Sequence, residues 1–319
     1  MLRSILIYFS QATWAQNLIM NWGYAWKIAS RFVPGTKLEE ALRVARDLNA
    51  KRYVTSLNQL GEHTHTPEDA QAVADQIYTI LDALGADSAL RTNLSIKLTQ
   101  IGLGLDETLC AEILERILAR AKKNNTFIRI DMEDTPYTEK TINLWYAMRA
   151  KGYENLGLVI QAYLYRSEAD VRRLVNDGVR IRIVKGAYKE PAEKAYPQKA
   201  DTDANYDLLT KILFDASLEK RSSLSDDGRI PPIPALATHD EKRIAFAKNY
   251  AEKIGLPKHA FEFQMLYGIR RDLQEQLMKD GYIMRVYIPF GPQWYPYFMR
   301  RLAERPANVW FFVSNFFRK

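Results

Sequence analysis

The 319-residue chain is poor in the residues that most readily mark a site: one cysteine, four histidines and no acidic residue before Glu39. The single cysteine, Cys110, excludes an internal disulfide. Its apolar helical setting reads as that of a small buried hydrophobe in a reducing compartment. Glu62-His63-x-His65 is the one stretch resembling a metal-ligand cluster, and it reads better as a polar loop, so no metal is expected. No apolar run approaches the ~20 residues of a membrane span. Residues 5–9 are too short for the apolar core of a secretory signal, and no small-residue cleavage site follows. Gly102-x-Gly104 is followed by Glu107 where a dinucleotide fingerprint requires glycine, and there is no phosphate-binding P-loop. Serine elbows and paired-histidine zinc helices are missing. The basic residues are dispersed without a nucleic-acid motif, so no nucleic-acid partner is expected.

What remains is an ordinary globular composition, 47% hydrophobic and 26% charged, with a formal charge of +7 and a pI near 9.2. That balance favours acidic ligands or an anionic surface. Residues 1–37 stand apart as a helical arm in which Arg3, Lys27, Arg31 and Lys37 are interleaved with Trp14, Trp22 and Trp26. Two readings stay open for it: an arm packed on the main domain, or a basic, tryptophan-rich helix lying at a membrane interface.

From residue 38 the pattern becomes regular. Strand-like runs at 53–57, 93–97, 127–131, 157–161, 180–184, 235–238, 261–264 and 283–287 alternate with helical patterns. These lie at 38–49, 67–84, 107–122, 138–151, 168–176, 204–220, 241–254 and 271–279, and a last helix begins near Trp294. Such alternation implies a parallel sheet, and eight units over roughly 250 residues have the size of a (β/α)₈ barrel. Barrels of this class carry their chemistry at the C-terminal strand ends. Polar residues gather there: Lys97, Asp131, Gln161, Arg182 with Lys185, Thr238-His239, Gln264 and Tyr287, while the strand starts read as carrying nothing comparable. The segment 222–234, rich in Ser, Asp, Gly and Pro, joins a helix to the next strand and belongs at the far end.

The last helix is the expected substrate clamp. Gly291-Pro292 makes a turn before it, Pro296 suits an early helical position, and Pro306 ends it at Arg305. Tyr295, Met299 and Leu302 share an apolar side. Arg300 and Arg301 point roughly 100° apart and can grip one small anion from two directions, with Glu304 one turn beyond. The alternative is a solvated surface helix with an i,i+4 ion pair.

The strand-end segments closely resemble those of one family, proline dehydrogenase. They are S-I-K-L-T at 95–99, D-M-E-D at 131–134, Q-A-Y-L-Y-R at 161–166, R-I-V-K-G-A-Y at 182–188 and A-T-H-D at 237–240. Further along come F-E-F-Q-M-L-Y-G at 261–268, V-Y-I-P-F-G at 286–291 and Y-P-Y-F-M-R-R-L-A-E-R-P at 295–306. The resemblance runs in order from about residue 38 to 306, with no aldehyde dehydrogenase domain after it, as in the monofunctional bacterial form. It implies a distorted (β/α)₈ barrel over 38–319, the last helix across its mouth, binding FAD non-covalently. The implied reaction oxidises L-proline to Δ¹-pyrroline-5-carboxylate, the first step of proline catabolism, with electrons passing to a membrane quinone.

By the same resemblance Asp131 and Arg182 match catalytic positions, Arg182 also lying near the flavin. Lys97, Leu266, Tyr287, Arg300, Arg301 and Glu304 match the substrate pocket. Met132, Gln161, Lys185, Gly186, Ala187, Thr238 and His239 match flavin contacts. Glu62 matches a loop glutamate that pairs with the first clamp arginine when the site closes. Three features depart from the pattern: Asn58 in place of aspartate, Lys189 in place of a large aromatic, and a long 222–234 loop. The implied location is cytoplasmic, with a peripheral contact on the inner membrane face. A methylenetetrahydrofolate reductase-like flavin barrel is a competing enzyme reading, which the double-arginine helix opposes; a non-catalytic basic membrane-binding protein is a competing non-enzyme one.

Overall fold

The computed structural model describes residues 26–27, 29–61 and 63–304, with side chains through residue 302. Eight parallel strands close into a barrel in sequence order: β1 (Val54–Gln59), β2 (Thr92–Ile96), β3 (Ile128–Ile130), β4 (Leu156–Gln161), β5 (Ile181–Val184), β6 (Pro234–Ala237), β7 (Glu262–Leu266) and β8 (Ile283–Phe290). Around it run α1 (Leu38–Ala50), α2 (Pro67–Ala86), α3 (Glu107–Lys123), α4 (Thr135–Ala150), α5 (Ser167–Asn176), α6 (Lys199–Glu219), α7 (Glu241–Ile254), α8 (Arg271–Lys279) and α9 (Trp294–Glu304). The (β/α)₈ expectation holds unit by unit.

Local chemistry starts the helices. Thr66 accepts Asp69 N–H at 3.1 Å with Pro67 in the first turn, and Asp106 accepts Thr108 N–H at 2.7 Å. Glu40 reaches back to the N–H groups of Thr36 and Lys37 at 2.9 and 3.0 Å. Two of the differences from the expected bounds have a visible cause. α6 starts at Lys199 and not 204, because its first turns are polar, tied by the Lys199–Asp203 pair, and show no apolar period. β8 continues past Tyr287 through Pro289, since it pairs with β1 as far as Gln59↔Phe290. Cys110 is buried, and burial pushes its thiol up to about 12, in keeping with an inert hydrophobe.

The strand starts correct the sequence reading: they are heavily charged inside the barrel. Arg285 forks onto Glu262 at 2.8 and 3.0 Å, and both are essentially inaccessible. Arg129 donates to the carbonyls of Leu158 and Arg180 and lies 5.0 Å over the Phe127 ring. Burial and the neighbouring Arg182 charge hold the Arg129 pKa well below the usual guanidinium range. Gly157 makes room for this, since a Cβ there would stand 2.8 Å from Arg129 Nη1.

The loop expected at the far end lies there and forms the floor. Arg229, 3% exposed, donates to the carbonyls of Leu90, Asn124, Leu84 and Asp87 at 2.7–3.1 Å. These carbonyls belong to helix ends and the connections that follow them, which otherwise need partners.

At the opposite end, α9 is buried almost all round. Tyr295, Met299 and Leu302 are at most 2% exposed, and Trp294, Tyr297 and Phe298 are buried too. They pack with Leu60, Ile269 and the end of the arm, where Trp26 meets Trp294 edge-on at 5.2 Å and Phe32 lies 6.4 Å from Phe298. Trp26, Ala29, Phe32 and Val33 are therefore packed against α9. Trp14 and Trp22 lie outside the described residues. Among the described residues no helix is long and apolar enough to cross a membrane.

Candidate active site

Three strands deliver one part-buried cluster to the mouth. Asp131 follows β3 directly, and Arg182 Nη2 on β5 donates to its Oδ1. The Tyr287 hydroxyl on β8 donates to Asp131 Oδ2 at 2.7 Å, and the Arg182 guanidinium lies 5.2 Å over the Tyr287 ring. Arg182 is 5% exposed, with Nη1 at 3.3 Å from Ser95 Oγ and 3.4 Å from Gln264 Oε1. Its Nε is buried without a hydrogen-bond partner among the described residues. Burial and the adjacent Asp131 charge raise the Tyr287 phenol well above its ordinary value, so it keeps its proton.

Around this cluster the predicted residues form two groups. On one side Lys97 follows β2, Met132 is buried, and Gln161 Nε2 donates to the Glu133 carbonyl at 2.8 Å. On the other, Lys185 is pinned between Asp203 and Asp240 at 2.5 Å each. Gly186 has φ +124°, and a Cβ would run into the Tyr163 ring, so glycine is required. Ala187 is exposed. Thr238 Oγ1 accepts Asp240 N–H at 3.0 Å, and His239 Nε2 accepts Leu266 N–H at 3.1 Å, tying a predicted cofactor residue to a predicted pocket wall.

Arg300 and Arg301 are part-exposed on a helix whose other described side chains are buried, so α9 is not a solvated surface helix. Arg301 lies 5.2 Å over the Tyr297 ring. Arg300 is near enough to act electrostatically on Tyr188, which also feels Glu133 and Asp131, and Tyr297 acts in the same way on Tyr287, so α9 lies near the strand-end cluster. Glu62 and the Glu304 side chain lie outside the described residues.

Two residues at the mouth, Tyr188 and Glu133, were not singled out from sequence. Burial, then the Glu133 and Asp131 charges, pushes the Tyr188 phenol up, and it stays protonated beside the cluster. Glu133, 2% exposed, takes Thr99 N–H at 3.1 Å and Thr99 Oγ1 at 2.7 Å, with His63 Nε2 at 3.7 Å. Burial raises its carboxyl despite Thr99 and Lys97. Asn58, the departure on β1, donates its amide to the Ser95 carbonyl at 3.1 Å, a bond an aspartate could not make.

A family model described as proline dehydrogenase matches residues 41–313. Proline dehydrogenase 1 of Bacillus subtilis (strain 168) is 39% identical over 319 residues, the whole of both chains. Proline dehydrogenase of Deinococcus radiodurans is 40% identical over 294 residues, 91% of this chain and 90% of that one. The solved structure of proline utilization A from Bdellovibrio bacteriovorus is similar at a TM-score of 0.78 and 27% identity, over 88% of this chain. This chain spans 33% of that larger one. With a matching barrel and close relatives over its full length, the chain belongs to the proline dehydrogenase family and is an oxidoreductase of proline catabolism.

Proposed function

We propose that the enzyme oxidises L-proline to Δ¹-pyrroline-5-carboxylate with non-covalently bound FAD, and that a membrane quinone takes the electrons. The observation that carries the reading is the part-buried Asp131–Arg182–Tyr287 cluster near a helix that bears Arg300 and Arg301. Two guanidiniums match a carboxylate through paired N–H donors, and Lys97 adds a third positive charge. Tyr287 and Leu266 wall the ring, Glu304 lies one turn along the clamp, and Glu62 is the proposed gate residue.

The residues present fit a flavin. Arg182 Nε is a buried donor with no partner among the described residues, and the Gly186 backbone leaves the strand end without a side chain. Arg182, Met132, Gln161, Lys185-Gly186-Ala187 and Thr238-His239 would hold it. FAD, when bound, supplies the hydride acceptor. The chain supplies position: a carboxylate gripped at one end fixes the carbon beside the ring nitrogen. Asp131 already accepts Arg182 and Tyr287, so it serves as a fixed anion and not as a mobile base. Its charge favours the positive charge that develops on the ring nitrogen as hydride departs.

The test is the visible spectrum of the purified protein. A flavin spectrum bleached by L-proline without oxygen is expected; no flavin, and none taken up from added FAD, refutes the reading. The apolar, tryptophan-bearing segment before residue 26, with Trp14, Trp22 and the single basic residue Arg3, is the proposed membrane contact. Deleting residues 1–25 spares the Trp26 packing, so it should lower binding to anionic vesicles and leave turnover with a soluble dye intact; equal vesicle binding refutes it.

A further inference from the structure

Arg182 is supported from below by a ladder that the proline-oxidising reading does not use. Gln264 on β7 stands between Arg182 and the Glu262–Arg285 pair. Its Nε2 donates to Glu262 Oε1 at 2.6 Å, and its Oε1 faces Arg182 Nη1 at 3.4 Å. An amide can be turned over, exchanging donor for acceptor, and here only one orientation is tolerable. Reversed, it would set an oxygen against the Glu262 carboxylate and an NH₂ against a guanidinium.

Glu262 cannot turn away either. Arg285 holds both its oxygens, at 2.8 and 3.0 Å, and Arg285 is itself fixed by the carbonyls of Thr55 at 2.8 Å and Gly228 at 3.1 Å. Every side chain in the ladder is at most 5% exposed, so water offers no substitute partner. The other acceptor on Arg182 Nη1, the Ser95 hydroxyl at 3.3 Å, rotates about its Cβ and cannot set a plane.

We propose that Gln264 is a positioning residue for proline oxidation: locked in one orientation by Glu262 and Arg285, it holds the Arg182 guanidinium in place against Asp131. The inference rests on the functional reading above. It extends the site from the mouth to the barrel floor, through groups that touch neither substrate nor cofactor.

The decisive comparison is Gln264→Met and Gln264→Glu in the flavin-loaded full chain. Methionine fills the space without an acceptor. Arg182 then loses its support while the carboxylate clamp on α9 is untouched, so kcat should fall about tenfold with KM for proline within about twofold. The reduction potential of the bound flavin, measured without proline, should move to more negative values, since a cation held near the ring favours its reduced, anionic form. In Gln264→Glu, a protonated side chain reproduces the native pattern, its hydroxyl donating to Glu262 and its carbonyl facing Arg182. Ionised, it sets two carboxylates against each other and draws Arg182 from Asp131. The ratio of its kcat to that of the wild type should therefore approach one as pH is lowered and fall as pH rises.

A wild-type kcat and potential in Gln264→Met would overturn the proposal, as would a loss confined to thermal stability. Should that variant fail to fold, a pH-independent ratio in Gln264→Glu would overturn it alone. Failure of L-proline to bleach the wild-type flavin would instead overturn the functional reading, and the potential measurement would still decide whether Gln264 governs Arg182.

Discussion

Tyr287→Phe isolates a single bond in the site. The ring stays under the Arg182 guanidinium, and what disappears is one 2.7 Å hydrogen bond to a carboxylate. The Asp131 side chain is only 13% exposed, so its Oδ2 is left with little access to solvent, while Arg182 still holds Oδ1. Hydrogen bonds to charged groups contribute roughly 1.5–3 kcal/mol, and each ~1.4 kcal/mol is tenfold in rate or affinity. If the whole effect falls on the transition state, kcat/KM drops roughly ten- to a hundredfold, and a water filling the vacated place brings it toward the lower figure. Steady-state oxidation of proline with a soluble dye acceptor reads this directly. Tyr287→Leu removes the ring as well, and should lose a further ~0.5–2 kcal/mol of cation–π contact. A phenylalanine variant within twofold of wild type, with unchanged melting behaviour, would show that the hydroxyl does not order Asp131.

Arg301→Lys keeps the charge and loses the fork, so kcat/KM for proline should fall by roughly ten- to a hundredfold with FAD content unchanged; unchanged kinetics in both this variant and Arg300→Lys would remove α9 as the substrate clamp. Burial raises the Asp207 carboxyl from 3.8 to about 6. The folded chain therefore holds a proton that the unfolded chain releases, and stability from this group declines as pH rises through that window. Asp207→Asn should accordingly stabilise the protein above pH 6 by up to about 3 kcal/mol, with no gain below the lower value, as followed by thermal unfolding. Arg229→Met strips four hydrogen bonds from the barrel floor. It should cost about 3 kcal/mol or more in unfolding free energy, with KM for proline unaltered in the protein that folds.

The barrel was legible because each strand is a short apolar run bounded by turns, and each helix start has its own signal, such as Thr66-Pro67 or Asp106. Asp131 was legible because a polar residue ending an apolar strand stands out; Arg182 and Tyr287 lie inside β5 and β8 and were picked out because the family motifs fall on them. Glu262, Arg285 and Arg129 were not. A charge inside a strand looks like a solvent-facing position, and the partner that contradicts this lies on another strand. Tyr188 and Glu133 were missed for a related reason: they sit one or two residues past recognised positions, and only the folded loops bring them beside Asp131. Arg229 looked like part of a polar loop, and nothing local says that it meets four carbonyls.

The seam between the first and last strands bears on how the chain is made. Arg285 reaches the Thr55 carbonyl across 230 residues of sequence, and β1 has no neighbour on that side until β8 arrives. At typical synthesis rates of roughly 5–20 residues per second, the edge of β1 stays open for on the order of ten seconds or more after it emerges. Throughout that interval Trp26 and Phe32 lack α9, and the row of unpaired backbone groups along β1 is open to pairing with another nascent chain. Slow late closure of this kind predicts that aggregation during expression is set by how soon residues 283–290 become available. Lower temperature or a holding chaperone should then raise the soluble yield more than any change at the mouth of the barrel.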